Sequence, residues 1–213
     1  QEMLLKYYRA FRKQGMNVDL IDMDCSIEGY QVLVLPMTYM FKQGFAEKVR
    51  AFVEQGGVLI TTYWSGIADD TDRCYLGGTP HGLMDVLGLR STEIDGLFDW
   101  EENQFMPVDG KELGLFREYT CKYLCDLVRL DGAQALMTYG SDFYQGYPAL
   151  TVNRYGNGSA WYVAADAEQV FQEDFIAKLL EHEEICGALP GEIPEGLEET
   201  TRETEYVRYY IYQ

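Results

Sequence analysis

The sequence is short of positive charge and of histidine. Across 213 residues, 17 Lys and Arg stand against 35 Asp and Glu, for a net charge of −18, and His81 and His182 are its two histidines. Nucleic-acid phosphates and anionic membrane surfaces both call for a basic face, so neither is an expected partner. Apolar runs are short, none approaching the ~20 residues of a membrane-crossing helix, and no signal peptide is visible. The five cysteines form no CxxC pair. Cys121 and Cys125 lie four apart with no histidine near them in sequence, which argues against zinc. The thiols read as buried and free in a reducing bacterial cytoplasm, and no metal or cofactor is expected.

What the chain does have is apolar and aromatic mass. A hydrophobic fraction of 47% and an aromatic fraction of 14% supply a core and exclude disorder. The 17 tyrosines combine apolar area with a polar tip, a combination favoured at interfaces. The length allows one large domain or one and a half small ones.

Leu4, Tyr7, Tyr8 and Phe11 repeat at helical spacing before Gly15, and Val18–Ile21 predicts a short strand. Val32-Leu33-Val34-Leu35, closed by Pro36, has the continuous apolar character of a strand buried on both faces. Phe45, Val49, Phe52 and Val53 form a second helical stripe, and Val58–Thr62 a further strand. This rhythm implies crossover units and an α/β fold with a doubly wound, mostly parallel sheet. Further on, 82–87 reads as a short helix, 90–108 shows no clear periodicity, and 119–130 fits either a strand or a helix. A strand is expected at 133–139. Gly156-Asn157 between apolar runs signals a hairpin, with Trp161 in its core, and 170–180 is an amphipathic helix. Pro190, Gly191, Pro194 and Gly196 mark a linker, after which Tyr206–Tyr212 predicts a strand without a partner. The chain opens inside a helical pattern without an initiator Met. Both ends thus suggest a piece of a longer polypeptide.

The segment Trp64–Pro80 begins where the Val58–Thr62 strand stops. In doubly wound α/β domains that position carries ligand sites and catalytic elbows. Its chemistry does not match the position. An elbow with Ser65 as nucleophile needs small residues two before and two after, where this chain has Tyr63 and Ile67. A Ser65–His81 pair with Asp69, Asp70 or Asp72 is the triad the composition offers, and the missing elbow argues against it. The same carboxylates lack the calcium-loop pattern, and Gly77-Gly78 lacks the Lys-Ser/Thr of a phosphate cradle. Trp64, Trp100 and the tyrosines could stack on sugar rings, but no pair of carboxylates is singled out for glycoside chemistry. No catalytic set emerges from the residues.

Several stretches together resemble one family. They are Tyr7-Tyr8-Arg9-Ala10 with Val18-Asp19; Ser65–Arg73 followed by Gly77-Gly78; Gly82 to Gly88; Gly146-Tyr147-Pro148-Ala149 with Tyr155–Gly158; and Gly196-Leu197-Glu198 with Arg202. In this order they resemble the middle, trimerisation domain of family 42 glycoside hydrolases, the β-galactosidases. Asp70-Thr71-Asp72, where a Glu-Asn-Asp type sequence is usual, and His81 after Pro80 depart from the pattern. The resemblance implies a class I glutamine-amidotransferase-like (flavodoxin-like) fold over 1–188. Residues 189–213 would then be a linker and the first strand of a C-terminal β domain. It implies a homotrimeric retaining β-galactosidase whose two catalytic glutamates lie on a barrel outside this chain. The chain's own partners would be its sister subunits and that barrel. Trp64, Ser65, Asp69, Asp70, Asp72, Arg73 and Tyr75 would form a subunit-contact loop. The alternatives are an amidotransferase-like hydrolase and a sugar-binding module.

Overall fold

The computed structural model describes residues 2–108 and 113–187, together with the backbone of 197–202 and 207–212. The first helix, α1 (Glu2–Lys13), buries Met3, Tyr7, Ala10 and Phe11 along one stripe. Glu2 in its first turn and Arg12 and Lys13 in its last match the helix dipole. The chain then passes through 16–31 without regular structure and enters β1 (Val32–Leu35), β2 (Met40–Phe41) and α2 (Phe45–Glu54). Next come β3 (Val58–Thr62), β4 (Ala68–Asp69) and α3 (Met84–Leu87). A long antiparallel section holds β5 (Leu89–Gly96), β6 (Asn103–Pro107), β7 (Tyr119–Leu130), β8 (Gln134–Tyr139) and β9 (Pro148–Tyr155). β10 (Gly158–Val163), β11 (Ala165–Ala167) and α4 (Gln169–His182) complete the main body.

Nine strands form one sheet in the order β1-β3-β10-β9-β8-β6-β7-β11, with β5 also paired to β7. β1, β3 and β10 run parallel. Every other ladder of this sheet is antiparallel. The α/β class therefore holds, but the sheet is mixed, and the mostly parallel expectation applies only to its β1-β3-β10 end. The reason is loop length. Parallel neighbours need a crossover of a dozen or more residues, whereas β9 and β10 are joined by two residues and must run antiparallel.

Alternation along β9 and β10 shows which helices cover which face. Asn153 donates to the Val86 carbonyl of α3 (2.9 Å), and Tyr155 meets Arg50 of α2. Trp161, opposite Val152, packs on Phe175 of α4. α2 and α3 thus lie on one face and α4 on the other, where α1 packs against it, so helices flank both faces as in a doubly wound fold. Lys6 fixes α1 to the sheet by an ion pair with Asp166 (2.5 Å) and a bond to the Ala167 carbonyl (3.0 Å).

Phe105, Tyr119, Tyr139, Phe171, Phe175 and Trp161 fill the layer beneath α4 with edge-on and offset ring contacts. Many tyrosines expected at interfaces are core residues instead: Tyr7, Tyr63, Tyr119, Tyr139, Tyr144 and Tyr162 are all buried. The thiol expectation also divides, since Cys121 and Cys125 are buried but Cys25, Cys74 and Cys186 are exposed, all five unpaired. Residues 119–130 are strand. The Val18–Ile21 expectation fails: Leu20 and Ile21 are exposed, and no ladder forms there. Hydrophobicity alone suggested a strand, and a strand needs a partner. Two strands, β5 and β6, lie in the segment without periodicity. The proposed linker at 189–196 lies outside the described residues. The terminal strand, β13 (Val207–Tyr212), has an antiparallel partner after all in β12 (Leu197–Arg202), and these two form their own sheet.

The β9–β10 hairpin is locked onto the end of α2. Asn157 N–H donates to the Glu54 carbonyl (3.0 Å), and Gly158 lies so close that a Cβ there would sit 2.3 Å from the Gly57 oxygen and 2.4 Å from that of Val53. Both obstacles are backbone and cannot rotate away. Gly158→Ala is therefore expected to cost about 3 kcal/mol or more, read as a lower urea midpoint at unchanged slope.

Candidate functional site

The carboxyl ends of β3 and β1 meet a turn made by Trp64, Ser65 and Gly66. Trp64 and Gly66 both have φ of 59°, the left-handed region. A Cβ on Gly66 would lie 2.9 Å from the His81 nitrogen and from a Phe41 ring carbon, so glycine alone fits this approach. Ser65 is buried, and its hydroxyl is fully engaged: it accepts from Thr38 N–H (3.0 Å) and faces the Leu35 carbonyl (3.4 Å). Thr62 does the same one step earlier by accepting from Met37 N–H (2.7 Å). Both hydroxyls tie the end of β3 to the end of β1.

His81 does not serve Ser65. Its ring stacks on Tyr75 at 3.7 Å and 8°, and its backbone N–H donates to the Gly66 carbonyl (3.1 Å). The carboxylates are likewise used internally. Asp69 Oδ1 accepts from Thr71 N–H (2.9 Å), the Thr71 hydroxyl (2.7 Å) and Arg73 N–H (3.1 Å). These bonds, led by the Thr71 hydroxyl, hold its carboxyl below the usual carboxylate range. Asp72 accepts from the Tyr39 hydroxyl (3.0 Å), and Tyr39 in turn stacks on Trp64 (5.9 Å). Asp70 and Arg73 point to solvent. Among the described residues, no group of three or more His, Cys, Asp or Glu side chains could hold a metal ion.

The predicted contact residues therefore gather into one folded loop. β4 pairs in parallel with β2, Ala68 bridges Cys74, and Tyr75 N–H donates to the Ile67 carbonyl (2.9 Å). Trp64 and Ser65 form its base, while Asp69, Asp70, Asp72 and Arg73 form its rim. Just after the hairpin closes at Tyr75 comes a residue that periodicity did not mark: Leu76, 93% exposed. The loop's acidic groups are largely satisfied within it, and its serine is engaged with the backbone and is not an activated nucleophile.

Beneath the turn lies a second feature hidden in the sequence. Asp126 is fully buried on β7. Its Oδ2 accepts a short hydrogen bond from the Tyr162 hydroxyl, and its Oδ1 has no partner. Its backbone is also held: Asp126 N–H donates to the Ala164 carbonyl (2.7 Å), and the Tyr139 hydroxyl lies 2.9 Å from that carbonyl and 3.2 Å from the Asp126 carbonyl. Burial pushes the carboxyl up to about 6, against the opposing pull of the Tyr162 hydroxyl, the Trp64 backbone and Ser91. The sequence signal was faint, a single acid between Cys125 and Leu127-Val128.

A carboxyl whose value is raised on folding binds its proton more tightly in the native state. Its contribution is therefore most favourable below the ordinary value of 3.8 and is lost as the pH rises through about 6. Asp126→Asn keeps the acceptor for Tyr162 and removes the titration. The variant is expected to gain stability relative to the parent chain between pH 4 and pH 7, by up to about 3 kcal/mol, in paired urea titrations. A difference independent of pH would contradict this assignment.

The model of the β-galactosidase trimerisation domain family matches residues 1–186. The chain is 40% identical over 211 residues to the β-galactosidase BglY of Alicyclobacillus acidocaldarius, covering 99% of this chain and 31% of that protein. It is 44% identical over 197 residues to the β-galactosidase BgaP of Planococcus sp. strain L4, covering 92% and 29%. Among solved structures, the β-galactosidase of Rahnella sp. R3 superposes with a TM-score of 0.86 at 44% identity, over 92% of this chain and 29% of that one. The chain thus spans between 29% and 31% of the length of these relatives. With the family model matching nearly its whole main body, the chain belongs to the β-galactosidase trimerisation domain family.

Proposed function

We propose that this chain is the non-catalytic middle domain of a retaining β-galactosidase that hydrolyses terminal β-D-galactosides. The observation that carries the reading is the family match over residues 1–186 in relatives more than three times as long. The catalytic barrel and its two glutamates would lie elsewhere in the parent polypeptide, and β12–β13 would open a following β domain. Helices on both faces, and a turn at the end of β3 where a nucleophile would stand, support descent from an amidotransferase-like fold. Its hydroxyl now braces the backbone. Three exposed, unpaired cysteines fit a reducing bacterial cytoplasm.

In the parent enzyme the domain would hold three subunits around a threefold axis. Asp69, Asp70, Asp72, Arg73 and Tyr75, with the exposed Leu76 beside them, would form its contact loop on a base of Trp64 and Ser65; Ser65, expected among the contact residues, is buried and can only support them. Heterologous contacts of this kind close into a ring when the rotation per subunit fits. The purified 213-residue chain is expected to show no turnover of a nitrophenyl β-galactoside and no labelling of Ser65 by a fluorophosphonate. The whole polypeptide is expected to turn the substrate over. Activity in the isolated chain, or labelling lost in Ser65→Ala, would overturn the reading.

A further inference from the structure

The turn between β5 and β6 carries an aromatic pair that the fold does not bury. Phe98 and Trp100 stack on each other at 4.8 Å and 5°, yet Phe98 is 62% and Trp100 78% exposed. Single exposed apolar side chains are ordinary on a protein surface, but a stacked pair held outward is not. Here the turn itself does the holding. Phe98 N–H donates to Glu101 Oε2 (3.0 Å), and Glu101 N–H donates back to the Phe98 carbonyl (2.8 Å). Both arms of the turn are tied to β7, through Leu97 N–H on the Tyr123 carbonyl (2.8 Å) and through the Lys122–Glu102 ion pair (2.6 Å). At its foot, buried Asn103 accepts from the N–H (3.0 Å) and the hydroxyl (2.9 Å) of Ser141.

The pairing uses one face of each ring and leaves the outer face of Trp100 open. Among the described residues, no hydrogen bond reaches the Trp100 indole N–H or the carboxylate of exposed Asp99. The platform is thus flat, apolar and preorganised, with an unused donor, an unused acceptor and a negative surround. That charge disfavours a phosphate or any other anion. A sister copy would bring a net charge of −18 to a surface that is already acidic. The turn is also far smaller than the ~800 Å² that each partner of a stable protein interface buries. A sugar ring fits on each count. It is neutral, about the size of one indole, apolar on one face, and ringed by hydroxyls that suit a carboxylate acceptor and an N–H donor.

We infer that the outer face of Trp100, backed by Phe98 and edged by Asp99, is a binding site for the pyranose ring of a β-galactoside. The axial O4 of galactose leaves C3–H, C4–H and C5–H together on one apolar face, which is the face to lie on the indole. The choice of galactose among neutral sugars rests on the reading under Proposed function, because it is the class on which the parent enzyme would act.

Saturation-transfer NMR of the 213-residue chain with methyl β-D-galactoside tests the site. Transfer is expected to be strongest to H3, H4 and H5 and to saturate with a Kd on the order of millimolar. Trp100→Ala is expected to abolish it and Asp99→Asn to weaken binding about threefold, with the indole signals of Trp64 and Trp161 unchanged as the check on folding. Mannitol, which has hydroxyls but no ring face, is expected to give none. No transfer, equal transfer to mannitol, or transfer retained by Trp100→Ala would overturn the site. So would a Trp100 indole signal that shifts with protein concentration alone, which marks a contact between copies. Turnover of a nitrophenyl β-galactoside by the whole parent polypeptide is measured separately. An active parent beside a chain without transfer overturns this site alone, whereas an inactive parent overturns the functional reading.

Discussion

The pairing of β10 with β3 is the seam on which this fold depends. β10 is parallel to β3 on one side and antiparallel to β9 on the other, so it alone joins the crossover-built part of the sheet to the hairpin-built part. The seam is tight because Gly158 lets the backbone of β10 approach that of Val53 and Gly57 where no side chain fits, while Gly57 leaves room for the Phe52 ring. Trp161 sits on this seam and carries α4, with its indole N–H held by Ser159 (3.0 Å) and Ser159 in turn bonded to Glu183 (2.8 Å). On the same strand, Tyr162 reaches Asp126. Core, helix layer and buried carboxyl are thus organised from one six-residue strand.

The seam also explains the character of the candidate site. A parallel sheet with crossovers brings the ends of β1 and β3 together, which is where α/β proteins build ligand sites. Here the polar groups at those ends are spent on each other. Thr62 and Ser65 brace β1, Asp69 caps its own loop, and His81 stacks on Tyr75. What is left for a partner is the outside of the loop: charge along its rim and the exposed Leu76 beside it. Chemistry has given way to shape, consistent with an assembly domain.

The sequence made the regular elements legible where the periodicity was clean. The apolar runs of β1 and β3, the stripe Phe45, Val49, Val53 and the Gly156-Asn157 turn all fall where the residues placed them. It was silent on β5 because an edge strand with a bulge between Ser91 and Glu93 loses its alternation. It misread Val18–Ile21 because hydrophobicity reports a wish for burial and not the presence of a partner strand. The mixed sheet was hidden too, since strand order depends on contacts distant in sequence. At the site, the position of the loop was readable from the end of β3. The engagement of Ser65, the exposure of Leu76 and the burial of Asp126 are tertiary facts, invisible to spacing.

The proposed role of the loop after β3 is to join subunits in the parent enzyme. The most direct measurement is the solution mass of the whole parent polypeptide by light scattering, with and without Leu76→Asp. Three copies are expected for the unaltered protein and a fall toward one for the variant, with its fold retained by circular dichroism. A trimer unaffected by a charge at Leu76, or a parent that is not trimeric, would contradict that role.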